Sequence, residues 1–141
     1  EAAVNPGNRT RVSVGFAFSA YRRIEGLPNA HPQSQYRGVD YEVTASVTGH
    51  VVDPGLVADY AEFDPVGKYI DDNLDRRILN QVLDFNPTPE LLAAHLLEAV
   101  IDQLAKSGVG HIGNVAVTVS EFGGRSATVD RDIDYASPAY W

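Results

Sequence analysis

Cysteine is absent from this sequence, which excludes disulfides, thiolate metal sites and a cysteine nucleophile. Methionine is absent as well, so the initiator is missing and a trimmed amino terminus is expected. No stretch approaches the roughly 18 consecutive apolar residues of a membrane span. The opening "EAAVNPGNRT" lacks the apolar core of a secretory leader. The expected location is therefore cytoplasmic, with no membrane partner. Positive charge is scarce: 11 Lys and Arg stand against 19 Asp and Glu, for a net charge of −8, and there is no basic run. Nucleic acid is not an expected partner, because its recognition needs a positive footprint.

What is present suits a single domain with a real core. The 141 residues are 44% hydrophobic and 21% charged, enough for one hydrophobic interior. We expect one domain over 1–141, with its core at about 10–131 and an aromatic tail over 132–141. Residues 11–18, "RVSVGFAF", alternate, with Val12, Val14, Phe16 and Phe18 on one face, as a half-buried strand does. "GVDYEVTASVTG" repeats the pattern from Val39 to Val47. Between them, residues 22–35 are rich in Pro, Asn and Gly and read as a long loop. "VDPG" at 52–55 reads as a turn.

Phe63, Val66, Ile70 and Leu74 then fall close to a helical stripe, with Asp64-Pro65 as a cap followed by a first helical residue. A second helix follows "NPTPE": Thr88 caps, Pro89 suits the first position and Glu90 favours the helix dipole. Leu92, Leu96, Ala99, Val100 and Leu104 line one side of it, and Gly108 ends it. "NVAVTVSE" and, after Gly123-Gly124, "RSATVDR" supply two more strands. The order strand, strand, helix, helix, strand, strand predicts an α+β fold in which two helices cover one face of a four-stranded antiparallel sheet.

Five local motifs add a family likeness over about Val12 to Val129. They are "FSAYRR", "YRGVDYEV", "GLVADYAEF", the pair "LDRRILN" and "NPTPE", and "VSEF". In this order and spacing they resemble the 6-pyruvoyl tetrahydropterin synthase and 6-carboxytetrahydropterin synthase family. The resemblance implies the tunnelling fold (ββααββ), closing into a multi-subunit barrel, with a hexamer expected, a tetramer as the alternative, and the site between subunits. It also implies a zinc held by three histidines, a catalytic cysteine, an Asp-His couple and a glutamate that anchors a pterin ring.

The departures are at the chemistry. The positions of the three zinc ligands hold Arg22, Arg37 and Val39, the cysteine position holds Gln33, and the catalytic histidine is Arg76. Asp75 and Glu121 remain. Guanidinium and an alkyl side chain offer zinc no lone pair, so neither a metal nor another cofactor is expected. Of the histidines, His50, His95 and His111 read as ordinary packing or surface residues. His31 sits in a loop that, by the resemblance, lines the mouth of the site. Arg22 and Arg37 together carry the charge of the lost zinc ion. Either they clamp an anion, or they pair with carboxylates such as Asp40 and Glu42.

Two functions stay open. One is a zinc-independent enzyme performing a cyclisation, aldol-type (lyase) or isomerisation step on a small, anionic, carbonyl-containing molecule, with a role in specialised metabolism. In it Asp75, His31 and Tyr21 would move protons, Arg76 would stabilise oxyanion charge, and Arg22, Arg37, Gln33 and Glu121 would bind substrate. The other is a non-catalytic binder of a pterin- or purine-like ligand.

Overall fold

The alternating segments form four strands: β1 (Thr10–Arg22), β2 (Arg37–Gly49), β3 (Ile112–Glu121) and β4 (Arg125–Asp132). They make one antiparallel sheet in the order β1-β2-β3-β4. The structure is a computed structural model, and it describes residues 8–51, 55–107 and 112–133. The expected turn at 52–55 therefore falls almost wholly outside the described residues, as do Gly108, His111 and the tail from residue 134.

Between β2 and β3 the chain makes a 3-10 turn (Tyr60–Phe63), helix α1 (Asp64–Asn73), a single turn α2 (Leu79–Val82) and the long α3 (Pro89–Ser107). The two expected helices are α1 and α3; α2 is an addition. Asp64 does not cap α1 but lies in its first turn. The side-chain cap comes earlier, where Asp59 accepts from the Ala61 N–H and starts the 3-10 turn. Thr88 does cap α3, its Oγ1 accepting from Leu91 N at 3.2 Å.

Strand periodicity puts every second side chain on one face, and register keeps that face continuous. Val14, Ala45, Val117 and Val129 lie in one cross-strand row, and Phe16, Val43, Val119 and Ala127 in the next. Against this face pack the helical stripes Phe63, Val66, Ile70 and Leu74, and Leu92, Leu96, Val100 and Leu104, all buried. The opposite face carries small polar pairs, such as Ser13 with Ser46 (2.8 Å) and Thr118 with Thr128 (2.7 Å).

One end of the inner face breaks the apolar pattern. Its rows there read Phe18, Tyr41, Glu121, Arg125, then Ala20, Val39, and last Arg22, Arg37. The Phe18 and Tyr41 rings stack at 4.7 Å, which ends the core beneath a layer of charge.

Candidate functional site

Arg22, the last residue of β1, is 1% exposed. Its Nη2 donates to Glu121 Oε2 at 2.8 Å and its Nη1 to Gln33 Oε1 at 2.6 Å. The other oxygen of Glu121, Oε1, accepts from Arg125 Nη2 at 2.8 Å. A carboxylate this buried is tolerated because two guanidiniums neutralise and hydrogen-bond it. Arg125 reaches it across the hairpin that joins β3 to β4. That hairpin turns on Gly123 and Gly124, with φ of 114° and 97°, a region that side-chain-bearing residues avoid.

Gln33 sits in a 3-10 turn over Pro32–Ser34 whose cap is His31. His31 Nδ1 accepts from Gln33 N at 3.0 Å, so the neutral ring carries its proton on Nε2. Two asparagines hold the strand exit beside it. Asn80 bonds both the N–H and the carbonyl of Arg23, and Asn86 does the same for Glu25. The amides thus complete backbone pairings that the chain lacks there. They are the asparagines of "LDRRILN" and "NPTPE", and their role is to fix the loop that follows Arg22.

A cleft of about 510 Å³ opens over this network. Arg22, His31, Gln33, Glu121 and Arg125 line it, and Thr88, Pro89 and Glu90, at the start of α3, form another wall. Arg22, His31, Gln33 and Glu121, sequence candidates all, are therefore brought together. Arg125 is the member that sequence reasoning missed; its one signal was a basic residue placed just across a Gly-Gly hairpin from Glu121. Two buried polar atoms nearby, Arg22 Nε and Tyr41 Oη, have no partner of good geometry among the described residues. Burial pushes the Tyr41 hydroxyl up to about 12; Arg22 opposes that shift and Glu121 adds to it.

Asp75 and Arg76 lie elsewhere. They line a separate cleft of about 430 Å³ with Ser19, Asp40 and Glu42, on the outer side of the sheet. Asp75 Oδ1 accepts from Ser19 N at 3.0 Å, Arg76 N donates to Ser19 O at 2.7 Å, and Tyr21 N donates to Arg77 O at 2.9 Å. The Arg77 guanidinium in turn bonds the Asp72 carbonyl near the end of α1. The Asp-Arg-Arg segment thus ties the end of α1 to the edge of β1. The Asp75–Arg76 pair itself is loose, at 3.9 Å with Arg76 91% exposed. Arg76 is also the one non-glycine residue with positive φ, 62°, among the described residues.

Tyr21 is exposed and lines a third, smaller cleft with Tyr36, Ile78 and Gln81. Arg37 is exposed at the start of β2, across from Arg22 in register. Val39 belongs to the apolar core.

These residues do not fit a zinc ion. The position nearest the charge layer is an arginine already bonded to Glu121 and Gln33, the second is an exposed arginine, and the third has no donor atom. Among the described residues, no three His, Asp or Glu side chains gather as a metal-holding group. His50 Nδ1 lies 2.7 Å from the Asn8 carbonyl, and His95 Nε2 lies 2.7 Å from the Tyr69 hydroxyl.

A four-stranded antiparallel sheet with helices packed on one face is the α+β tunnelling fold of the 6-pyruvoyl tetrahydropterin synthase structures. The family model for 6-pyruvoyl tetrahydropterin synthase matches residues 11–132, and the chain belongs to this family. Among solved structures, the Plasmodium falciparum 6-pyruvoyl tetrahydropterin synthase is similar at 21% identity and a TM-score of 0.72, covering 89% of this chain and 99% of that one. The Caenorhabditis elegans 6-pyruvoyl tetrahydropterin synthase is similar at 21% identity and a TM-score of 0.71, covering 86% and 95%. An uncharacterised protein of Wolinella succinogenes is similar at 16% identity and a TM-score of 0.73, covering 86% and 98%. At these identities the likeness establishes the fold. No curated protein matches the sequence. No helix among the described residues is long and apolar enough to cross a membrane.

Proposed function

We propose that this chain is a zinc-independent member of its family that binds a small, anionic, carbonyl-containing molecule in the Arg22–Glu121 cleft. There it would catalyse a cyclisation, aldol-type (lyase) or isomerisation step. The observation that carries this reading is the buried Arg22–Glu121 pair. Arg22 stands where the family resemblance places a zinc ligand, and it keeps positive charge at that point without Lewis acidity. A guanidinium can stabilise developing oxyanion charge, and His31 presents a proton on Nε2 at the same cleft.

In this reading the active unit is a homo-oligomer, a hexamer before a tetramer. Part of β1 and all of β4 border the sheet as free edges among the described residues, and closure with other copies removes such edges. Asp75, Arg76 and Tyr21 would then act from the subunit facing the cleft. One observation favours the second reading, a non-catalytic binder of a pterin- or purine-like ligand: the Asp75 carboxylate already accepts from Ser19 N within its own chain.

Both readings meet one experiment. The purified protein is analysed for zinc, treated with a chelator, and incubated with a panel of small oxo acids and phosphorylated aldehydes followed by NMR. Conversion that survives chelation and falls in Asp75→Asn supports the enzyme. Binding without conversion supports the binder. About one tightly held zinc per chain, with conversion lost on its removal, rejects the zinc-independent reading.

A further inference from the structure

The proposed small-molecule cleft has an acceptor that is already taken. Both oxygens of Glu121 are engaged, Oε2 by Arg22 and Oε1 by Arg125, and its side chain is 2% exposed. A ligand that offers N–H groups to Glu121 would first have to displace a guanidinium. The groups left unused around the cleft are mainly donors. Arg125 spends one nitrogen on Glu121, is about half exposed, and among the described residues makes no hydrogen bond through Nε or Nη1. Among the described residues the Gln33 amide nitrogen makes no hydrogen bond, while its oxygen serves Arg22. His31 turns Nδ1 to the backbone, which leaves Nε2–H as its available donor. Arg22 Nε, within a side chain 1% exposed, meets no hydrogen-bond geometry among the described residues and lies close to Tyr41.

Formal charge among the lining residues is balanced, Arg22 and Arg125 standing against Glu121 and Glu90. Glu90 and much of Arg125 reach solvent, which screens both, so it is the spare donors that favour an anion.

Resting on the small-molecule reading of this cleft, we infer that it grips the oxyanion of its ligand, a compact carboxylate or phosphate group, chiefly through Arg125, with His31 Nε2–H and the Gln33 amide completing the donor set. Glu121 then acts as a positioning residue that holds the two guanidiniums in place, and not as the ligand's anchor. A guanidinium that lines the cleft with donors to spare suits the planar, two-point recognition of such a group.

The test is titration of the full chain, by calorimetry and amide NMR in chloride-free buffer of low ionic strength. The probes are inorganic phosphate, pyruvate and the neutral donor ring 2-aminopyrimidin-4-one. Saturable binding of phosphate or pyruvate is expected, and the tighter of the two names the oxyanion. Arg125→Gln, a half-exposed change that leaves the buried Arg22–Glu121 pair intact, should weaken that binding at least about tenfold, the loss of one charge-assisted contact. Glu121→Gln, if it folds, should leave anion binding equal or stronger. Unchanged anion binding in Arg125→Gln overturns the inference. Binding of the neutral ring with no binding of either anion also overturns it, and leaves the small-molecule reading of the cleft standing. Binding of none of the three probes removes both.

Discussion

Arg22 and Glu121, 99 positions apart in sequence, meet at 2.8 Å with both side chains almost wholly shielded from water. The pair closes the charged end of the sheet over Tyr41, and Arg125 completes it from the solvent side. Burying two ions costs several kcal/mol each before their attraction is counted. The arrangement is therefore sensitive to losing one member and much less so to losing both.

Arg22→Met leaves Glu121 buried with a single half-exposed partner, and should cost about 3–5 kcal/mol. Arg125→Gln should cost no more than about 1 kcal/mol, because its guanidinium reaches solvent. The double variant Arg22→Met with Glu121→Leu should cost clearly less than the two single changes added together. Urea unfolding of the set measures each value, and simple additivity would mean that the pair is not energetically coupled.

At the other cleft, the contacts of Asp75 and Arg76 give opposite signs. Asp75→Ala orphans the Ser19 N–H at the β1 edge and should cost about 1–2 kcal/mol, whereas Asp75→Asn retains an accepting oxygen and should cost less. Arg76→Gly should stabilise by up to about 1 kcal/mol, since glycine accepts the left-handed backbone without strain. Thermal denaturation reads both. A marked loss of stability in Arg76→Gly would show that the exposed Arg76 side chain carries a contact of its own.

His95 supplies a pH signature remote from the cleft. It packs against Phe85 with ring centres 5.2 Å apart and bonds the Tyr69 hydroxyl, and burial lowers its pKa, with Asp84 opposing part of the shift. The folded value lies below the ordinary 6.5, so between the two the unfolded chain binds more protons. Stability from this residue is complete above about pH 6.5 and declines as pH falls through the folded value. His95→Gln should flatten that part of the stability profile, and NMR titration of the ring should place its midpoint below 6.5. A midpoint above it would reverse the sign.

Assembly is the fourth expectation. Light scattering at micromolar concentration should give a multiple of the chain mass, six copies in the favoured case. A stable monomer would confine any site to the residues of one chain, and would leave Asp75 and Arg76 without a role at the Arg22 cleft.

The sequence by itself determined the sheet, its buried face and the two main helices. Those features rest on local periodicity: every second residue from Val39 to Val47, and a stripe from Leu92 to Leu104. Local patterns also carried the family likeness and the loss of zinc-ligating side chains at Arg22, Arg37 and Val39, because donor chemistry belongs to the residue itself. Partnership was another matter. For Arg22 and Arg37 the sequence offers either a bound anion or carboxylates such as Asp40 and Glu42, but the tertiary structure pairs Arg22 with Glu121. Arg125 drew no notice until Gly123 and Gly124 folded it back onto the same carboxylate. "LDRR" reads as the remnant of a catalytic couple, and only the docking of α1 against the edge of β1 adds that Asp75, Arg76 and Arg77 also hold a backbone junction within the chain. The reason is physical. Propensity and periodicity act over a few residues, whereas the pairing of buried charges is fixed by long-range strand register and by the strong cost of leaving any one of them alone.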